Sequence, residues 1–339
     1  MTANSFIKNQ ILGGVGIITL DRPQALNALN WDMVTAIHEV LDAWEDLIIK
    51  AVVIRSSNPK FFCSGGDIKR IQQLVLQEKA DLGEGFFSTE YMLNKRIANY
   101  PVPVISLISG LCLGGGLGLS VHGQFRVVTE TAKMAMPETA IGFFPDVGAS
   151  YFLPRLPGAI GMYLGLTGQR MDYRDALYCG LATHYMSSES IGGLVDFLND
   201  SRDQPVAQVI SSACVLPASS YGHLAKHRSE IDWCFGAGTL SEIETRLQVV
   251  NSDWSQKVSS LLHFASPQSL ETTYAMIHQG SELSLEDCLN LEFRVASALI
   301  RSDDFVEGVR AALVDKDGTP VWSPRVWAPL SQLLDSTRS

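Results

Sequence analysis

Two acids, Glu138 and Asp146, stand in "MAMPETAIGFFPDVGAS", a stretch otherwise dominated by glycine, proline and apolar residues. A carboxyl group in such surroundings is desolvated, which raises its pKa towards the range where it exchanges protons near neutrality. Two of them could share acid and base work. Both also have plainer uses: Glu138, following Pro137, could cap a helix, and Asp146 in "FPDVG" could shape a turn. Two glycine runs offer the complementary charge. "FFCSGGDIKR" carries Gly65, Gly66, Asp67 and Ile68, and "GLCLGGGLGLSVHG" carries Gly114, Gly115 and Gly116. Backbone without Cβ atoms lets N–H groups approach a ligand closely, and the free N–H groups of a helix start attract negative charge. Either run could be an ordinary turn. Used together, they would be the donors of an oxyanion hole, stabilising charge on a carbonyl oxygen. A dinucleotide loop is excluded, because G-x-G-x-x-G counted from Gly114 needs glycine where Leu119 stands, and no G-x-x-x-x-G-K-[ST] occurs. His122 and Cys63 are weaker candidates: a lone His at helical spacing more often packs, and Cys63 has no basic partner that the sequence identifies.

The elements that must hold these residues alternate between strand and helix. "GVGIITLDRP" has the pattern of a strand closed by a turn, and Asn30 then precedes Met33, Ile37, Val40, Leu41, Trp44, Leu47 and Ile48 at helical spacing. "AVVIRSS", "PVPVISLISG" and "FRVVTE" follow as apolar strands, the glycine run between the last two opening a helix. The alternation runs to about residue 180. Beyond it the pattern is helical, with "SEIETRLQVV", "SLETTYAMIHQG" and "SLEDCLNLEFRVASALI" each beginning at a serine that could cap it, and Ser284 and Asp287 at capping-box spacing. The expected class is therefore α/β with a helical C-terminal region. No repeat or linker divides the chain.

Composition narrows the partners. With 339 residues, 46% of them apolar, the chain can bury a large core. Its net charge of −10 argues against coating nucleic acid or an anionic membrane, although a local basic patch could still hold a phosphorylated ligand. The six cysteines are widely spaced with no C-x-x-C pair, so no zinc site or disulfide scaffold is expected. The start "MTANSFIKNQ" lacks the features of a signal or transit peptide, and no apolar run reaches the ~20 residues of a membrane span, which favours a cytoplasmic protein. Oligomeric state is open, and a homo-oligomer is compatible with the sequence.

"FFCSGGDIKR", "GLCLGGGLGLSVHGQFRVVTE", "AMPETAIGFFPDVGASYFLPRL" and "LTGQRMDYRDALYCGLATHYM" together resemble the crotonase (enoyl-CoA hydratase/isomerase) superfamily. The likeness continues through "FFSTEYMLN", "FASPQSLETTYAMI" and "DDFVEGVRAALVDKDGTPVWSP", and so covers almost the whole chain. It implies a single crotonase-like unit over residues 1–339, with a ββα spiral core at 1–190 and a helical region at 191–339. It also implies an acyl-CoA substrate whose coenzyme A is part of the substrate, with no separate cofactor and no metal. The oxyanion donors would be the Gly66 and Gly115 N–H groups, with Gly65, Asp67, Ile68 and Glu90 contacting substrate. Hydratases of the superfamily carry a second Glu where this chain has Gly118, whereas Glu138 matches and Asp146 is added, as in thioester hydrolases. The resemblance thus implies hydrolysis of a short 3-hydroxyacyl-CoA, 3-hydroxyisobutyryl first among the acyl groups, as in valine breakdown. Glu138 would attack the carbonyl or activate water, and Asp146 would handle water or protons. Enoyl-CoA hydration and non-catalytic acyl-CoA binding are the alternatives.

Overall fold

The computed structural model describes residues 6–201, 203–215 and 222–324. The chain divides into two compact units: Met1–Gly66, Met92–Ala135 and Arg170–Lys226 form the first, and Asp67–Tyr91, Met136–Gln169 and His227–Ser339 the second. Among the described residues every strand belongs to the first unit, here called the sheet unit. A six-stranded sheet has the order β1 (Ile7–Leu12), β2 (Val15–Leu20), β3 (Ala51–Ser56), β5 (Val104–Ile108), β7 (Phe125–Val128), β10 (His184–Tyr185). Only β1 and β2 are antiparallel; Ile17 pairs with Val53 and Val53 with Ile105 in the parallel part. A smaller sheet has the order β4 (Phe61–Cys63), β6 (Leu111–Leu113), β8 (Lys133–Ala135), β9 (Met171–Asp172). Each passage of the chain therefore adds one strand to each sheet and then a helical segment: β3, β4 and the helix Ile68–Leu76; β5, β6 and Gly115–Val121; β7, β8 and the 3-10 turn Glu138–Ile141. This is the expected ββα order of an α/β protein.

Continuous apolar runs form the inner strands because a parallel sheet is covered on both faces. All of Val104–Ile108 is buried, as are Ala51, Val52, Val53 and Ile54. One face packs Val15, Ile17, Val53, Ile105 and Val127 against Leu194, Val195, Leu198, Val209 and Ile210, each buried aliphatic side chain contributing ~1.5–3 kcal/mol. Asn30 caps the helix Trp31–Glu45 by accepting from the Met33 N–H, as its position predicts. That helix ends before Leu47 and Ile48, which are exposed although they continue the helical spacing.

The second unit is helical. The helix Ile160–Thr167 is buried throughout, and Pro267–Gly280 packs on it and on Ala149–Phe152. Of the three serines expected as caps, Ser284 caps Leu285–Leu299. The other two helices start earlier. Leu240–Val250 is capped by Thr239, and Pro267–Gly280 by Ser266, whose following proline is pre-set for the first helical position. Ser269 is instead buried in the first turn. Among the described residues no helix is long and apolar enough to cross a membrane.

Candidate active site

In the sheet unit both glycine runs lie beside β4 and β6. Gly65 has φ +101°, a left-handed conformation that a side chain would strain, and a Cβ there would lie 3.3 Å from the Leu113 carbonyl oxygen and 3.7 Å from the Gly115 nitrogen. A Cβ on Gly116 would come within 2.7 Å of the Cys63 carbonyl oxygen, so the two runs approach closely only because side chains are missing. Gly115 is the first residue of the helix Gly115–Val121, where the N–H groups have no partner a turn earlier. Among the described residues neither the Gly66 nor the Gly115 N–H has a hydrogen-bond acceptor. The fold thus brings Gly65, the neighbour of Gly66, close to the Gly115 nitrogen.

Cys63 is fully buried and its thiol donates to the Asn27 carbonyl at 3.1 Å, which suits packing rather than nucleophilic attack. His122 terminates the helix Gly115–Val121 and is half-buried. Asn94 attracted no notice in the sequence, yet it is completely buried and neither polar atom of its amide is bonded among the described residues. A polar group left in that state is a candidate for contact with ligand or water.

The helical unit holds the acids. Glu90, Glu138 and Asp146 are all nearly or fully buried, at 2%, 7% and 5% exposure. Glu90 lies on the helix Ala80–Ala98; Glu138 opens the 3-10 turn Glu138–Ile141; Asp146 lies in the loop before Ala149–Phe152. In the same unit Phe87 stacks on Phe143 with ring centroids 5.4 Å apart, and Phe143 meets Phe305 edge to face and Phe144 at a tilt. Burial shifts the pKa values of the three acids. Burial first, and then the charge of Asp146, pushes both Glu90 and Glu138 well above the usual carboxyl range. Asp146 is raised by burial to about 7, partly offset by the hydrogen bond from the Tyr91 hydroxyl to its Oδ2 at 2.7 Å. Glu138 caps no helix with its side chain, and among the described residues its buried Oε2 has no hydrogen-bond partner, nor has Oε1 of Glu90. Carboxyl oxygens in that state are held ready for something the protein does not supply.

Asp67 caps the helix Ile68–Leu76, accepting from the Arg70 N–H at 3.4 Å, and Ile68 is the first residue of that helix. A cleft of about 510 Å³ in the sheet unit, lined by Lys8, Arg55 and Asn58 among others, contains none of the candidate residues. A second, of about 830 Å³ in the helical unit around His263 and Trp322, contains none either. Among the described residues no group of three or more His, Cys, Asp and Glu side chains is placed to hold a metal ion.

The model of the enoyl-CoA hydratase/isomerase family matches residues 15–333 of this chain. The chain belongs to the enoyl-CoA hydratase/isomerase family. Its similarity to individual family members is extensive. It is 42% identical over 337 residues to 3-hydroxyisobutyryl-CoA hydrolase, mitochondrial, of Danio rerio, covering 97% of this chain and 88% of that protein. Proteins of the same name from Homo sapiens and Dictyostelium discoideum are 41% and 40% identical, covering 92% and 94% of this chain and 82% and 87% of theirs. Among solved structures, a carnitinyl-CoA dehydratase from Mycobacterium thermoresistibile superimposes with a TM-score of 0.90 at 35% identity, over 98% of this chain and 96% of that one. An enoyl-CoA hydratase from Rhodobacter sphaeroides 2.4.1 gives 0.87, also at 35% identity, over 97% and 96%.

Two members of the acid cluster were not found from sequence. Tyr91 is buried and bonds Asp146; Glu292, from the helix Leu285–Leu299, is wholly buried and bonds the loop that follows Asp146. Tyr91 adjoins Glu90 in "STEYM" and could have been flagged by that neighbour. Glu292 lies 146 positions from Asp146 in an amphipathic stretch, and nothing local distinguishes it from a surface acid.

Proposed function

We propose that this chain hydrolyses 3-hydroxyisobutyryl-CoA to 3-hydroxyisobutyrate and coenzyme A. The observation that carries the proposal is the buried carboxyl cluster, in which Glu138 Oε2 has no partner among the described residues, Asp146 is raised to about 7, and the Asp146 charge pushes Glu138 further up. The curated relatives at 40–42% identity bear that hydrolase name, which supports the choice of reaction. In the proposed reaction the N–H groups of Gly66 and Gly115 donate to the thioester carbonyl oxygen and favour the tetrahedral state. The Glu138 carboxylate adds to the carbonyl carbon, the C–S bond breaks, and CoA departs as its thiolate, to be protonated by the proton that Asp146 takes from water in the next step. Water then attacks the resulting anhydride, with Asp146 accepting its proton, and the acid product leaves Glu138 restored. The same groups also accommodate direct attack by a water that Glu138 activates. Glu90, with a buried oxygen awaiting a partner, is assigned to the substrate's 3-hydroxyl; leaving that oxygen unpaired would discriminate against acyl chains lacking the hydroxyl. Gly65, Asp67 and Ile68 are kept as substrate contacts, and no cofactor beyond the substrate's own CoA is called for.

The second reading is hydration of an enoyl-CoA, favoured by the likeness at 35% identity to a carnitinyl-CoA dehydratase and an enoyl-CoA hydratase. Gly118 argues against it, since the second carboxylate that hydration uses is missing there. Free thiol release decides. The protein is offered 3-hydroxyisobutyryl-CoA, 3-hydroxypropionyl-CoA and crotonyl-CoA: thiol from the first supports the proposal, whereas loss of crotonyl absorbance without thiol from any of them replaces it with hydration. Binding with neither change would make the chain a ligand-holding protein. We keep the cytoplasmic location as a proposal, to be set against the mitochondrial names of the relatives by fractionation. Light scattering tests the proposed homo-oligomer.

A further inference from the structure

Glu292 has no part in the reaction above, yet it is fully buried in the helix Leu285–Leu299 with its carboxyl group completely engaged. Oε2 accepts from the Gly148 N–H at 2.7 Å, and Oε1 accepts from the Ser150 N–H at 2.9 Å and the Ser150 hydroxyl at 2.5 Å. These donors begin the short helix Ala149–Phe152, whose capping position is Gly148 and therefore offers no side-chain acceptor. Glu292 supplies that acceptor from a remote part of the sequence. The segment it grips is strained: Val147, buried and β-branched, has φ +53° and Gly148 has φ +87°. A β-branched residue adopts a left-handed conformation only where its surroundings impose it. On the upstream side the Tyr91 hydroxyl holds Asp146 Oδ2, and the Asp146 carbonyl accepts from the Ala149 N–H. The turn is thus fixed at both ends with the Asp146 side chain between them.

We propose that Glu292 is a positioning residue, which locks the strained turn from Asp146 to Ser150 and thereby sets the direction of the Asp146 carboxyl group. The inference rests on the thioester-hydrolase reading above. A neutral acceptor would suffice for a cap alone, and a second acid near Asp146 is an electrostatic burden to the fold. What the carboxylate uniquely offers is acceptance on both oxygens. An amide has one acceptor, so it can satisfy Gly148 or Ser150 but presents an NH₂ group to the other.

The test is Glu292→Gln, read in two ways on the full chain at pH 9, above the Glu292 pKa of about 8, where its carboxylate is ionised. Amide hydrogen exchange of the peptide containing residues 146–150 should accelerate by ~10-fold or more, because one of the two N–H groups loses its acceptor. With 3-hydroxyisobutyryl-CoA, kcat should fall ~10- to 10²-fold while KM stays within about 3-fold, the pattern of a misaimed catalytic group. The pH profile of kcat should also lose the limb that belongs to Asp146, whose titration is shared with Glu90, Glu138 and Tyr91. A merely structural glutamate would lower the melting temperature and leave kcat and the pH limb of the folded protein unchanged; that result overturns the proposal. Should Glu292→Gln fail to fold, Glu292→Asp carries the test: it keeps the carboxylate but withdraws it by one methylene, and parental exchange together with parental kcat overturns the proposal equally. If the unmodified protein releases thiol from no thioester, the hydrolase reading falls, and the exchange measurement alone decides whether Glu292 locks the turn.

Discussion

The glycine loops of the sheet unit offer partial positive charge from the backbone, whereas the acids of the helical unit concentrate negative charge on side chains taken out of water. The first arrangement is inexpensive for the fold and blind to pH: two N–H groups left without acceptors, at Gly66 and Gly115, need only the absence of Cβ atoms nearby. The second is demanding. Glu90, Glu138, Asp146 and Glu292 all have raised pKa values because burial opposes their ionisation, and the Asp146 charge adds to the effect on the three glutamates. A loop of glycines can be reshaped only by adding bulk, but a carboxyl cluster can be disabled by replacing one oxygen. The difference predicts which region is sensitive to which kind of change.

The largest effect is expected from Glu138→Gln. It keeps size and polarity but removes the proposed nucleophile, or the base of the direct route, so kcat should drop ~10³-fold or more while the affinity for CoA thioesters stays within a few-fold. Parental turnover would remove Glu138 from the chemistry and shift the weight of the comparison to the glycine loops. Asp146→Asn should follow at ~10²-fold, since the amide still accepts from the Tyr91 hydroxyl and still suits a turn but cannot take a proton from water. In the unmodified protein kcat should fall as pH drops below about 7, because the proposed reaction uses both acids ionised, and burial raises Asp146 to about 7 and Glu138 well above the usual carboxyl range. A flat profile between pH 5.5 and 8 would separate Asp146 from the rate.

Gly65→Ala tests the other region. Its φ of +101° is one that alanine resists, and its Cβ would press towards the Leu113 carbonyl oxygen, displacing one loop relative to the nitrogen of Gly115. We expect kcat to fall ~10-fold or more with no change in the pH profile, because only backbone donors have moved. Loss of activity accompanied by a shifted pH limb would show that the two regions are not independent.

How much of this was legible in sequence follows from the same contrast. Glycine runs, the strand "AVVIRSS", the Asn30 cap and the acid pair in "PETAIGFFPDVG" are local signals, and each is where its neighbours predict. The ββα order was recovered through resemblance, because β4, β6 and β8 are three-residue strands, too short for a period to show. Strand β1 escaped for another reason: only Ile7 of its six residues is buried, so an edge strand of mixed character has no alternation to detect. Ser269 misled because any serine before an apolar run resembles a cap, while the Ser266–Pro267 pair just upstream was the stronger signal. Tyr91 and Glu292 were hidden because their importance lies in what they touch, Asp146 Oδ2 and the Gly148 N–H, and not in their own neighbours.

The smallest effect expected is on stability, and it has the sign opposite to that on activity. The folded pKa of Asp146 is about 7 against an ordinary 3.8, and that of Glu292 about 8 against 4.5, burial being the leading cause for each. A carboxyl raised on folding binds its proton more tightly in the native state, so between its unfolded and folded pKa values stability falls as pH rises. Below pH 4 the penalty is absent; above pH 8 it is complete, and a tenfold change in proton affinity between the two states corresponds to about 1.4 kcal/mol before the other groups of the cluster readjust. Asparagine cannot ionise and escapes the penalty. Asp146→Asn should therefore melt a few degrees higher than the parent at pH 8, with the gap closing towards pH 5, even as it loses activity. Thermal melts of both proteins at pH 5, 6.5 and 8 measure this directly. A variant that melts lower than the parent at every pH would mean that the ionised Asp146 stabilises the fold, and would overturn the view that the acid cluster is held at the expense of stability while the glycine loops are not.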